Sequence, residues 1–401
     1  MSDLHRSHFP PEILDYIVDH LHDKRDALKN CCLVSKSWVP RSRKHLFGYV
    51  KIHSAAKLNL WKKMFPDKSD SPACHTHTIS LTCPEEVTAA DAEEGGWIRS
   101  FSHVVRLGIH SDPMKYGGPV VPLTPFHGFS PALNYLRILS STLPNSQIFD
   151  LICSLPLLED LTLGIGGTDD NVPSPDVPLR VVQPTSPALT GTLDLTVFGG
   201  MESIARRFLG LPNGLHFREL VLSWFYKEDL QWIIALVVGC SDTLERLSVT
   251  CHLRSAFVSF LRSTCSSPSP AGNASIDLSK ATKLKSVIFL PVTLSVEWIT
   301  LALQTIAPKH RDLQRICIHL PYHQAFTGGA NIRQTIGEAT CGQWLAFDHA
   351  LVQLWESFSI RPKITYIGPV KEKEVSESMD YLLPKAMKRG IINLVEWRVY
   401  Q

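Results

Sequence analysis

Cys74, His75, His77 and Cys83 come nearest to metal chemistry in this chain. Thiolate and imidazole are zinc ligands, but C-x2-H-x5-C is unlike the spacing of structural zinc sites. His77 and Cys83 also flank an alternating apolar run, Ile79 and Leu81. A loop entering a strand, with no metal, is the expectation. Arg41, Arg43, Lys44 and His45 form a basic cluster suited to phosphate contacts, as in a helix-turn-helix DNA reader. No second basic cluster supports that role, and Pro40 sits inside the would-be recognition element, so a solvated basic face is expected. Nucleophile and phosphate motifs are missing: the chain has no P-loop, no G-x-S-x-G and no H-E-x-x-H. Gly164-Ile165-Gly166-Gly167 follows a strand pattern but lacks the spacing of a dinucleotide loop and reads as a turn. The expectation is a non-catalytic protein without cofactor or metal.

The elements around these residues decide what else the chain can do. It has 401 residues, 44% apolar and 19% charged, with a formal net charge of +2. That supplies a sizeable core and gives no electrostatic pull toward nucleic acid or an anionic membrane. No apolar run approaches a membrane span, and the start MSDLHRSHFPPEIL lacks a signal peptide's long apolar stretch. The expected location is cytoplasmic or nuclear. The ten cysteines, at 31, 32, 74, 83, 153, 240, 251, 265, 317 and 341, never form CxxC and read as reduced thiols. The sequon Asn273-Ala274-Ser275 then carries no glycan.

Residues 9–21 (FPPEILDYIVDHL) predict a helix. Pro11 suits its opening, Glu12 complements the helix dipole, and Ile13, Ile17 and Leu21 fall on one stripe beside Leu14. Asp26 is the expected cap of a second helix carrying Leu28, Cys31, Cys32 and Ser35. Ser37 is the expected cap of a third, with Pro40 in its first turn and Trp38, Leu46 and Phe47 beside it. Three short helices bury too little to be robust alone and must lean on a neighbour or a partner.

The run Phe9-Pro10-Pro11-Glu12-Ile13-Leu14, with Ile17 and Leu21, resembles the F-box opening L-P-x-E-I-L-x-x-I. Cys32-Leu33-Val34-Ser35-Lys36-Ser37-Trp38 resembles its V-S-[RK]-x-W signature, and Leu46-Phe47 its closing apolar pair. The spacing agrees over about 40 residues, and the wording is similar to F-box proteins of mushroom-forming fungi. Phe9 stands where leucine is usual. The resemblance implies docking to the Skp-type adaptor of a cullin–RING ubiquitin ligase, with Pro10, Ile13, Leu14, Ile17, Val34 and Trp38 forming or supporting the docking face. These six side chains either line that face or make up the module's own core; the sequence leaves both open.

Downstream, L-x-x-L-x-L recurs with apolar variants: Val104/Leu107/Ile109, Leu133/Leu136/Ile138, Leu158/Leu161/Leu163, Phe217/Leu220/Leu222, Leu244/Leu247/Val249, Leu284/Val287/Phe289 and Leu313/Ile316/Ile318. Weaker copies are Ile79/Leu81, Leu193/Leu195 and Leu394/Trp397/Val399. The centres from Leu107 to Leu247 lie roughly 25–32 residues apart. Residues 146–155, 202–211, 227–238, 294–307 and 344–358 carry helical apolar spacing between them. The arrangement resembles the irregular leucine-rich-repeat region of many F-box proteins, although the asparagine or cysteine after each repeat is mostly missing. The predicted fold is α/β: a three-helix F-box (8–50), a linker (51–75) and a curved leucine-rich-repeat-like β–α solenoid with a parallel sheet (76–401). Residues 66–72, 164–187, 263–275 and 323–343 read as exposed loops; Ser174, Ser267 and Ser269 precede proline there.

The expected function is a substrate receptor of a Skp/cullin/F-box-type ligase, docking the adaptor through the helices and an unidentified protein target through the solenoid. A non-ligase interaction scaffold retaining an F-box is the alternative. An enzyme with an unrecognised site is the third reading.

Overall fold

A computed structural model of the chain describes residues 10–66, 71–82, 87, 91, 96–110, 123–140, 143–166, 187–198, 200–251, 275–291, 296–320, 332–366 and 372–396. Two compact units divide it, Met1–Leu158 and Glu159–Gln401. Both are α/β, and their strands pair in parallel in sequence order.

The first unit opens with helices α1 (Pro11–His20) and α2 (Arg25–Val34), a 3-10 turn (Lys36–Trp38) and α3 (Val39–Gly48). Pro11 opens α1 with Glu12 beside it, as the missing proline N–H and the helix dipole favour. Pro40 lies in the first turn of α3. The caps differ from expectation. Helix α2 starts at Arg25 after an uncapping Lys24, and Asp26 in its first turn pairs with Lys29 at 2.8 Å. Helix α3 follows Trp38 with no side-chain cap; Ser37, its expected cap, lies inside the 3-10 turn, which Ser35 caps by accepting from the Ser37 N–H at 3.3 Å.

Helix α3 passes directly into β1 (Tyr49–Ile52), which buries Val50 and Ile52 and precedes α4 (Ala55–Met64). Residues 51–75, expected as a linker, therefore hold half a strand, a helix and a 3-10 turn (Pro72–His75). The helical module leans on this addition. Phe47 meets Trp61 at 6.1 Å between ring centroids, and Trp61 stacks on Phe101 at 5.6 Å. Thr76 Oγ1 donates to the Phe47 carbonyl at 2.9 Å. Strands β2 (Thr78–Leu81), β3 (Arg106–His110) and β4 (Tyr135–Ser140) follow, and β1 to β4 pair in order. Ile79, Leu81, Leu107, Ile109, Leu136 and Ile138 point one way into the core, each at most 1% exposed. Helix α5 (Asn145–Cys153) buries Ile148, Phe149, Leu151 and Ile152.

The second unit carries β5 (Asp160–Ile165), β6 (Thr192–Val197), α6 (Met201–Leu209), β7 (Glu219–Trp224), α7 (Leu230–Gly239), β8 (Arg246–Cys251), β9 (Ser286–Pro291), α8 (Glu297–Gln304), β10 (Arg315–Leu320), α9 (Ile332–Phe358), β11 (Lys363–Tyr366), α10 (Glu372–Leu382), α11 (Pro384–Lys388) and β12 (Asn393–Glu396). Strands β5 to β12 pair with their sequence neighbours. Helix α6 shows why the intervening segments are helical: Met201, Ile204, Ala205 and Phe208 recur at 3.6-residue spacing and are buried. Residues 332–343, expected as loop, are the first half of α9 instead.

One hydrogen-bond device recurs at the strand entries. In the first unit the N–H groups of Val105 and Arg106 converge on the His77 carbonyl, and those of Asn134 and Tyr135 on that of Val105. In the second, Arg218 and Glu219 converge on Gly191, Glu245 and Arg246 on Arg218, Lys285 and Ser286 on Glu245, and Gln314 and Arg315 on Lys285. The first apolar residue of most repeats closes a tight turn just before this, as in Val104 N–H to Phe101, Leu133 N–H to Ser130 and Leu313 N–H to His310. The three-residue step in L-x-x-L is thus a turn that delivers the chain into its strand. Beyond the alternating pairs, buried Ile165, Val197, Trp224, Cys251 and Leu320 extend the inward rows. Each such side chain contributes about 1.5–3 kcal/mol by leaving water. Ser174, Ser267, Ser269, Asn273, Trp397 and Val399 lie outside the described residues.

Candidate docking face on the N-terminal helices

Helix α1 is apolar on more than one side, and packing decides which side turns inward. Val18 is the residue it seals, at 1% exposure, with Leu14 and Leu21 half-buried. Ile13 and Ile17 stay 46% and 42% exposed, and Tyr16 is exposed beside them. Helix α2 seals Leu28 and Cys31 while leaving Leu33 85% and Val34 69% exposed. Pro10 is exposed, and its carbonyl accepts from the Ile13 N–H at 3.0 Å. Trp38 is half-buried in the 3-10 turn, which contacts all three helices.

Of the six residues named from the sequence, then, Ile13, Ile17, Val34 and Pro10 face solvent, and Leu14 and Trp38 are shared between surface and interior. Leu33 and Tyr16 are exposed apolar residues that the motif reading did not select. Leu33 lay within the quoted signature run, so its side was the only thing hidden. Ile13, Tyr16 and Ile17 lie at i, i+3 and i+4 on α1 and so share one face, and clustered apolar exposure, unlike a scattered residue, marks an interaction surface.

A polar clamp holds α1 against α3. The Asp19 carboxylate accepts from Arg41 Nε at 2.6 Å, from Arg41 Nη2, and from His45 Nε2 at 2.7 Å. Arg41 first and His45 second hold this carboxyl well below the usual carboxylate range, and Asp19 raises the Arg41 guanidinium. Two members of the basic cluster are therefore committed to positioning α1, and only Arg43 and Lys44 remain exposed. No protein-family model matches this chain, and no curated protein matches its sequence.

Elsewhere the candidate chemistry disperses. Cys74 is exposed and its Sγ points to the Ser71 carbonyl at 3.6 Å, His77 is exposed at the entry to β2, and Cys83 lies outside the described residues. Among the described residues no three His, Cys, Asp or Glu side chains are placed to share a metal ion, and no helix is long and apolar enough to cross a membrane. Cys31, Cys240, Cys251 and Cys317 are buried and outside any disulfide; burial pushes the Cys240 thiol up to about 12. A groove on the second unit, lined by Glu219, Arg246, Ser248, Ser286, Ile288 and Arg315, lies at the strand entries on the sheet face away from the core. Its Glu219–Arg246 ion pair, at 2.6 Å, closes charge within the groove.

Proposed function

We propose that this chain is the substrate-recognition subunit of a Skp/cullin/F-box-type ubiquitin ligase. The observation that carries the reading is the solvent exposure of Ile13, Ile17, Leu33 and Val34 on helices that carry the F-box-like signatures. Burying such side chains in a partner gains about 25 cal/mol per Å² of apolar surface, and it would complete a module too small to cover itself. Asp19, Arg41 and His45 keep α1 in place while its outer stripe is offered.

The parallel strands and their recurrent entry turns support a leucine-rich-repeat-like organisation for the remainder. In that role the sheet face away from the core and the loops beyond the strands bind the target. Such a receptor needs no nucleophile or acid–base pair. It raises the concentration of a target lysine near a ubiquitin thioester held by the cullin–RING core. The proposed partners are a Skp-type adaptor, a cullin reached through it and a protein target, in the cytoplasm or nucleus.

Affinity capture on the full-length chain tests this. Recovery of both adaptor and cullin is expected. Adaptor without cullin would favour the non-ligase scaffold, and neither protein from a folded chain would overturn both.

A further inference from the structure

The outward face of β1–β4 is built differently from the core face. Across the four strands, register places Lys51, Ser80, Gly108 and Arg137 in one row. The row is long cation, small, small, long cation. At about 4.8 Å per strand, its two cations stand roughly 14 Å apart at their backbones, with the small, buried Ser80 and Gly108 between them. Glycine at 108 makes room for the His110 ring between the two cations: a Cβ there would lie 3.1 Å from His110 Nε2 and 3.7 Å from Ser80 Oγ. The next row is Tyr49, Thr78, Arg106 and Tyr135. Arg106 lies over the Tyr135 ring at 5.5 Å, which orients its guanidinium while leaving N–H edges for an acceptor.

Lys51, Arg106 and Arg137 are all exposed, and among the described residues none of them pairs with a carboxylate. No Asp or Glu occurs on β1–β4 at all. Burial first, and then Arg137 and Lys51, depress the ionisation of His110, whose ring lies beside Gly108 of this row. In the second unit the corresponding outward row already matches Glu219 with Arg246.

We infer that this outward face is a recognition surface for a carboxylate-rich, extended segment of a partner protein. The row presents cations at both ends, and Tyr49 and Tyr135 supply apolar contact beside them. Three cations fit a short acidic segment better than a nucleic-acid strand, whose readers neutralise roughly 6–10 phosphates. The inference gives a target class to the receptor function proposed above and rests on that reading for its biological meaning.

The test measures fluorescence anisotropy of a short labelled peptide of alternating glutamate and serine with the purified full-length chain. Binding that weakens with salt is expected, and Lys51→Glu/Arg106→Glu/Arg137→Glu should weaken it by more than about tenfold. The alanine triple variant should weaken it less, which guards against a misfolded charge reversal. Both variants should still bind the Skp-type adaptor, whereas Ile13→Asp/Ile17→Asp should lose the adaptor and keep the peptide, so the two proposals fail separately. Equal peptide affinity in the wild type and the charge-reversed variant overturns the inference. So does preference for a single-stranded oligonucleotide of equal charge. Peptide binding that appears only after Glu85, Glu86, Glu93 and Glu94 are changed to glutamine would make this chain's own acidic segment the occupant, and would also overturn it.

Discussion

Ile17 and Val18 are neighbours in sequence, and replacing each by aspartate should have very different consequences. Val18 is 1% exposed, so Val18→Asp forfeits its full burial, about 1.5–3 kcal/mol. It also places an unpaired carboxylate in the interior, which costs several kcal/mol more. The sum, at least about 4 kcal/mol, is a large share of the roughly 5–15 kcal/mol that holds a typical domain together. Ile17 is 42% exposed, so Ile17→Asp loses little more than half of an isoleucine's burial, about 1–2 kcal/mol, and its carboxylate reaches water. Urea unfolding followed by circular dichroism and tryptophan fluorescence measures both. A small midpoint shift for Ile17→Asp at unchanged slope, against loss of the first-unit transition for Val18→Asp, is expected. Equal destabilisation by the two would show Ile17 to be core and remove the argument for a free stripe.

Three further outcomes follow from buried and paired carboxylates. Asp229 is buried at the start of α7 with Oδ2 unpartnered, and burial pushes its carboxyl up from 3.8 to about 6. The fold holds the proton more tightly than the unfolded chain does, so stability falls as pH rises from about 4 to 6, by about 3 kcal/mol; Asp229→Asn should be more stable at pH 7, with the gain vanishing below pH 4 in thermal melts. Asp19 has the opposite sign: its lowered carboxyl contributes stability above about pH 4 that is lost as pH falls through its folded value, so Asp19→Asn should destabilise the first unit at neutral pH and less in acid. Asp348, fully buried on α9, accepts from the N–H groups of Lys385 and Ala386 at 3.0 and 2.9 Å and caps α11; Asp348→Ala should cost about 1–3 kcal/mol in denaturant unfolding and expose α11 to hydrogen exchange.

The strands were legible wherever two or three apolar residues alternate into the core, as at Leu161 and Leu163 or Leu220 and Leu222. Strand β11 was not, because it offers only two inward positions and Arg361 stands where an apolar lead-in would be; β1 was hidden because its lead-in, Phe47, falls within the helical module. Helix α4 buries only Leu58 completely and so prints no stripe in its sequence. The first half of α9 was hidden by Gly337 and Gly342, whose poor helix propensity the helix overrides. On the N-terminal helices the sequence supplied the candidates but not their orientation: α1 has apolar residues on two adjoining sides, and packing against α3 and the 3-10 turn turns Val18 inward. The Asp19 clamp was illegible because its partners lie 22 and 26 positions away. The row of Lys51, Ser80, Gly108 and Arg137 exists only through strand register, which no local pattern encodes.

On the proposed function, the apolar surface of α1 and α2 is covered by a Skp-type adaptor. Isothermal titration of purified adaptor into the full-length chain tests it most directly. The wild type should bind, and Ile13→Asp/Ile17→Asp should bind at least about a hundredfold more weakly, as two anchors worth about 1.4 kcal/mol each would give, while keeping its unfolding transition. A folded double variant that binds the adaptor as tightly as the wild type would contradict the account.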